Sequence, residues 1–169
     1  MTARVLIVCT ANICRSPMAE ALLRHHLATC DADVIVTSAG TRRGSLGSTA
    51  LSVDRDAASV VAGFGSEFGT GDVDITAHTP RQATRELIDL EGADLVITMT
   101  RTQLREVATS ARGAFGRTFT LRELARRAGD AQRPIHRALY LDPDPDSASK
   151  LSSDFGNWVQ ALGAGRRPT

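Results

Sequence analysis

The stretch that most restricts how this chain can fold is Val8-Cys9-Thr10-Ala11-Asn12-Ile13-Cys14-Arg15-Ser16-Pro17. In front of it, the β-branched run Arg4–Val8 predicts a central strand. Behind it, Ser16-Pro17 predicts a helix start, with serine as N-cap, proline in the first helical position and Glu20 near the positive end of the helix dipole. A strand that turns through a tight loop into a helix is the first half of a parallel βα unit. It can bury its apolar surface only if further strands and helices alternate after it.

The rest of the chain supplies them. Asp33–Thr37, Asp94–Met99 and Arg117–Leu121 predict three more strands, and DLVITM reads as buried on both faces. The first helix is expected to run to about Thr29. Others are expected over Thr49–Ala62, from Thr79-Pro80 through Leu90, and over Thr102–Ser110, Arg122–Ala128 and Phe155–Leu162; Gly63–Gly71 is expected to be a surface loop. The fold class is therefore α/β, a four-stranded parallel sheet flanked by helices. At 169 residues it is expected to be a single domain, 1–169.

In such sheets ligands gather beyond the carboxyl ends of the strands, where helix N-termini present unpaired N–H groups and a positive dipole end. Residues Thr10 to Ser16 thus form a candidate anion cradle, a phosphate-binding loop after the first strand. Arg15 adds a planar fork able to grip two phosphate oxygens. The same positive field favours the thiolate of Cys9, the nucleophilic form. One loop can bind a phosphate and attack it.

Twenty basic residues against nineteen acidic ones leave no global field for nucleic acid, and no segment approaches a membrane span. Neither nucleic acid nor membrane insertion is expected. Three cysteines, at 9, 14 and 30, are too few for a secreted disulfide scaffold and point to a cytoplasmic protein, with Cys30 read as a small buried residue. No cofactor or metal is expected. His25-His26 lacks companion ligands, and the aspartates at 142, 144 and 146 are followed by Ser147 and Ser153 where a calcium loop needs glycine and glutamate. The sequence leaves the oligomeric state open.

CTANICRSPMAEALL is similar to the phosphate-binding loop of the low-molecular-weight protein tyrosine phosphatases, whose pattern is C-x-G-N-x-C-R-S. The resemblance continues through Thr37-Ser38-Ala39-Gly40-Thr41, His78 with Arg81-Gln82, and Ala93–Met99, and it covers Thr2 to about Arg127. Residues from about 129 to 169 match the family weakly. The resemblance implies hydrolysis of phosphotyrosine-type phosphomonoesters on a protein substrate through a phosphocysteine intermediate. It implies Cys9 as nucleophile, Arg15 and the loop amides of Thr10, Ala11, Asn12, Ile13 and Cys14 on the phosphate, and Ser16 supporting the thiolate. Asn12, Ser38 and His78 would hold the loop in shape. Cys14 would be the second cysteine, able to bond to an oxidised Cys9.

Two departures matter. Ala11 replaces a glycine of the family pattern, which requires that this residue keep a backbone conformation open to alanine. The family's general acid is an Asp-Pro pair near the C-terminus, and Leu141-Asp142-Pro143-Asp144-Pro145-Asp146 offers Asp144 as the better match and Asp142 as the other. In a second register, Trp158–Arg167 resembles the segment that precedes that pair in longer relatives, and the acid would then lie beyond Thr169. Three other functions stay open. Thiol-dependent arsenate reduction would need an external thiol, because no cysteine follows Cys30. A phosphate-binding module without turnover would not need Cys9. Phosphoarginine hydrolysis resembles a loop with threonine at the position of Ile13, and apolar Ile13 favours an aromatic ester.

Overall fold

The structure is a computed structural model and describes residues 2–29, 32–42, 52–67, 73–90, 92–130 and 147–166. Four strands, β1 (Ala3–Cys9), β2 (Val34–Gly40), β3 (Leu95–Thr98) and β4 (Thr118–Thr120), form one parallel sheet in the order β2-β1-β3-β4. The expected α/β sheet is observed. β1 is central, and its register pairs Cys9 with Gly40 of β2 and Val8 with Thr98 of β3. The order reverses at β1, so the crevice beyond its carboxyl end is the topological switch point of the sheet.

Alternation along β1 divides the core. Leu6 and Val8 join Val96 in a cluster with Leu87 and Ile88 of a π-helical turn (Glu86–Leu90), Val107 of α3 (Arg101–Ser110), Ala114 of the 3₁₀ turn Arg112–Arg117, and Ala111, which joins those last two. Val5 and Ile7 face the other way, joining Val36, Ile97 and Phe119 under α1 (Arg15–Thr29), α4 (Leu121–Asp130) and α5 (Ser147–Gly163). Helices thus cover both faces. Ala57 and Val61 of α2 (Arg55–Glu67), with Val53 just before it, pack against Met18 and Ala21 of α1 and Cys14 just ahead of that helix. Among the described residues, no helix is long and apolar enough to cross a membrane.

Several expected boundaries move, each for a local reason. Helix α1 begins at Arg15, and Ser16 donates its hydroxyl to Cys9 instead of capping the helix. Glu20 lies beyond the first turn of α1, with its carboxylate engaged by Ser38. Residues 52–54 stay outside α2 because Asp54 is the cap, accepting the Ala57 N–H at 2.9 Å. Residues 63–67, expected in a loop, continue that helix.

The helix expected from Thr79-Pro80 is not formed. Instead the backbone of 81–83 runs alongside Gly40, with Gly40 N donating to Arg81 O and Ala83 N to Gly40 O. Only at Thr84, which accepts from Leu87 N, does a single π-helical turn begin. The terminal helix is longer than Phe155–Leu162, although Phe155, Trp158, Val159 and Leu162 do form its core-facing side. Its end is fastened tightly. Gly163 abuts the Gly116 backbone with no room for a Cβ, and Arg166, whose side chain is almost fully buried, lies 4.6 and 4.4 Å from the rings of Phe115 and Phe119 while pairing with Glu123 at 3.0 Å. Burial pulls the Arg166 pKa down, against the pull of Glu123.

Candidate active site

Beyond the end of β1, the loop from Cys9 to Cys14 curls over the head of α1. Cys9 is 3 % exposed, and its sulfur accepts two hydrogen bonds, from Ser16 Oγ at 2.9 Å and from the Asn12 backbone N–H at 3.3 Å. The Ser16 proton has a more distant alternative acceptor in Ala39 O at 3.4 Å. Two donors converging on one sulfur at a helix N-terminus is an arrangement that stabilises a thiolate.

Asn12 organises the inside of the loop. It is fully buried and is the described non-glycine residue with a positive φ, 58°, a region asparagine tolerates better than most residues. Ala11 is free of that demand, so the missing glycine costs the loop no backbone strain. The Asn12 side chain is fully used: Nδ2 donates to Ser16 Oγ (2.9 Å) and Ser38 Oγ (2.8 Å), and Oδ1 accepts from Arg81 N (2.9 Å). His78 Nε2 lies 3.1 Å from both Asn12 Oδ1 and Asn12 O. Both neighbours are acceptors, which assigns the proton to Nε2.

Ser38 Oγ in turn donates a hydrogen bond to Glu20 Oε2 at 2.6 Å. A continuous chain therefore runs from Cys9 through Ser16, Asn12 and Ser38 to the Glu20 carboxylate. The loop is also tied from outside. Thr41 N donates to Cys9 O, Arg42 N to Thr10 O and Asp54 N to Ile13 O, while Gln103 Nε2 reaches Thr10 Oγ1 at 2.9 Å. A Cβ on Gly40 would stand 2.6 Å from Thr10 O and 2.9 Å from Ala11 C, so only glycine lets β2 pass beneath the loop.

Arg15 opens α1 and is exposed at the mouth of a groove of about 170 Å³. Thr10 shares that groove with it, facing Thr100, Thr102 and Gln103 at the head of α3. Outward, Arg42 and Glu106 pair across it at 3.7 Å. Cys14 lies toward α2, partly buried against the Val53–Ala57–Val61 cluster. Burial first, then the Asp54 and Cys9 charges, push its thiol pKa up, and Arg15 opposes them.

The structure thus brings together Cys9, Thr10, Ala11, Asn12, Ile13, Cys14, Arg15, Ser16, Ser38 and His78. Asp142 and Asp144 lie outside the described residues, as does Cys30. Sequence reasoning missed the network roles of Glu20, Gly40 and Arg81, and it missed Gln103. Of these only Gln103 left a local trace, the Thr100-x-x-Gln103 spacing of a capping box.

Comparison with known proteins agrees with this geometry. The family described as Low molecular weight phosphotyrosine protein phosphatase matches residues 4–150. A protein of Ralstonia solanacearum, described as the probable low molecular weight protein-tyrosine-phosphatase EpsP, is 37 % identical over 164 residues, covering 97 % of this chain and 99 % of its own. Among solved structures, the low molecular weight protein tyrosine phosphatase of T. tengcongensis superposes with a TM-score of 0.61 at 27 % identity, over 95 % of each chain. YwlE of Bacillus subtilis, an arginine phosphatase solved as a mutant with a phosphorylated active-site serine, gives 0.57 at 25 % identity, over 95 % of this chain and 93 % of its own.

Proposed function

Because this chain belongs to the low molecular weight phosphotyrosine protein phosphatase family, we propose that it hydrolyses aryl phosphomonoesters of the phosphotyrosine type by a two-step route through Cys9. The reading is carried by one observation, the sulfur of Cys9 accepting from Ser16 Oγ and Asn12 N where α1 begins. In the first step the thiolate attacks phosphorus, an S–P bond forms and the ester P–O bond breaks. The electron pair of that bond leaves on the aryl oxygen, which takes a proton from a carboxylic acid, here assigned to Asp144.

Arg15 and the amides between Thr10 and Cys14, apart from that of Asn12, which stays on the Cys9 sulfur, hold the equatorial oxygens through this step, with the charge of the guanidinium and the dipole of α1 both opposing the charge that builds on the phosphoryl group. In the second step water gives a proton to the Asp144 carboxylate and attacks phosphorus. The S–P bond then breaks, returning the Cys9 thiolate, to which Ser16 donates as it leaves, and releasing inorganic phosphate.

Phosphoarginine is the second reading, favoured by the likeness to a protein described as an arginine phosphatase. Ile13 argues for the aryl ester, because an apolar side chain at the loop suits an aromatic ring better than a guanidinium. The test is phosphate release from matched phosphotyrosine and phosphoarginine peptides by the wild-type chain and by Cys9→Ser. Release from phosphotyrosine that Cys9→Ser abolishes is the expected result. Undiminished release by that variant, or release from phosphoarginine alone, overturns the reading.

A further inference from the structure

Gln103 is a polar side chain that is 3 % exposed, on the first turn of α3, ninety-three residues from the loop it touches. An amide buried that deeply has to satisfy its donors and its acceptor. Its Oε1 accepts from Met99 N and Thr100 N, each at 3.0 Å, and the Gln103 backbone N–H returns a bond to Thr100 Oγ1 at 3.3 Å. Those bonds complete the capping box of α3. Glutamate would complete it equally well. What glutamate lacks is the N–H with which Gln103 Nε2 donates to Thr10 Oγ1 at 2.9 Å.

Thr10 directly follows Cys9, and its carbonyl is held by Arg42 N. The Asn12 network braces the other end of the loop, so Gln103 supplies the one side-chain hydrogen bond seen on Thr10 among the described residues. Thr10, Gln103 and Arg15 also line the same groove. We propose that Gln103 is a positioning residue for catalysis, latching the first residue of the phosphate loop to the head of α3 through Thr10 Oγ1. This rests on the phosphatase reading above. The geometry separates two tasks in one side chain: Oε1 caps a helix, and Nε2 sets the loop.

A double-mutant cycle separates the tasks as well. Thr10→Val removes the hydroxyl and leaves the capping box intact, whereas Gln103→Leu removes both. In the wild-type background Gln103→Leu is expected to lower kcat/KM for an aryl phosphate about 3- to 10-fold, the range of one neutral hydrogen bond. In the Thr10→Val background it is expected to cost almost nothing further in rate, while the thermal melt still drops in both backgrounds because the cap is lost in each. Thr10→Ser, which keeps the hydroxyl, is expected to recover most of the rate that Thr10→Val loses. Equal rate losses from Gln103→Leu in both backgrounds overturn the latch. Should Gln103→Leu not fold, wild-type activity in Thr10→Val overturns it alone. A wild-type chain that releases no phosphate refutes the phosphatase reading instead, and the same cycle is then read on the Kd of inorganic phosphate by calorimetry.

Discussion

Ser16 Oγ lies 2.9 Å from Cys9 Sγ and donates a hydrogen bond to the sulfur, while its own oxygen accepts from Asn12 Nδ2 at 2.9 Å. Ser16 is completely buried, so water cannot substitute for either bond. A hydrogen bond to a charged group contributes more than a neutral one, about 1.5–3 kcal/mol. Ser16→Ala is therefore expected to reduce kcat on an aryl phosphate roughly 10- to 150-fold with the fold retained. Steady-state kinetics beside a circular dichroism melt check this, and an unchanged kcat would remove Ser16 from the mechanism.

The raised pKa of Cys14 sets a direction for redox behaviour. A raised thiol pKa keeps the proton on sulfur to higher pH, and only the thiolate attacks an oxidised partner. After a pulse of peroxide, closure of a Cys9–Cys14 disulfide is expected to speed up as pH rises from neutrality into the alkaline range, about tenfold per unit while the thiol form dominates. Dithiothreitol is expected to restore activity. Peptide mapping over a pH series tests this, and a closure rate independent of pH would show that Cys14 is not the attacking thiol.

Gly40→Ala is expected to be a loop variant despite lying in a strand. The added Cβ would fall 2.6 Å from Thr10 O, 2.9 Å from Ala11 C and 3.0 Å from Asn12 N, all of them backbone atoms that cannot rotate away. The loop has to shift. A displacement near 1 Å can cost on the order of 10²-fold in rate. The expected outcome is a folded protein whose kcat/KM falls by about that factor, measured beside a thermal melt; a wild-type rate would mean that the sheet yields rather than the loop.

Asp144 is tested through leaving groups. Asp144→Asn is expected to slow hydrolysis of alkyl phosphates or phosphotyrosine by about 10²–10⁴-fold, and of p-nitrophenyl phosphate much less, because nitrophenolate leaves without needing the proton. The same comparison for Asp142→Asn distinguishes the two candidates. Equal losses on good and poor leaving groups would assign the Asp-Pro pair a structural role.

What could be read from the sequence follows the locality of each signal. The strands were legible because β1 and β3 are buried on both faces and so are written as continuous apolar runs. The segment around Thr79-Pro80 was not, because its conformation is set by pairing with Gly40, some forty residues earlier, and the local helix signal loses to that pairing. Residues 63–67 misled in the opposite sense, since glycines suggest a loop while the buried Ala57 and Val61 had already fixed the helix they extend. In the site, Cys9, Asn12, Arg15 and Ser16 share one compact stretch with a recognisable pattern. Glu20 and Arg81 act only across segments that meet in space, where sequence spacing carries no message.

That distribution also governs how the protein reaches its working form. The bond from Asn12 to Ser38 closes twenty-six residues of chain, that to Arg81 sixty-nine, and that from Gln103 to Thr10 ninety-three. Each closure has an entropic cost that is offset only once the intervening strands have docked. The loop sequence by itself is then a floppy peptide with a thiol in it. Recovery of turnover during refolding should track completion of the sheet and never run ahead of it, making the activity a late clock for assembly of the whole chain.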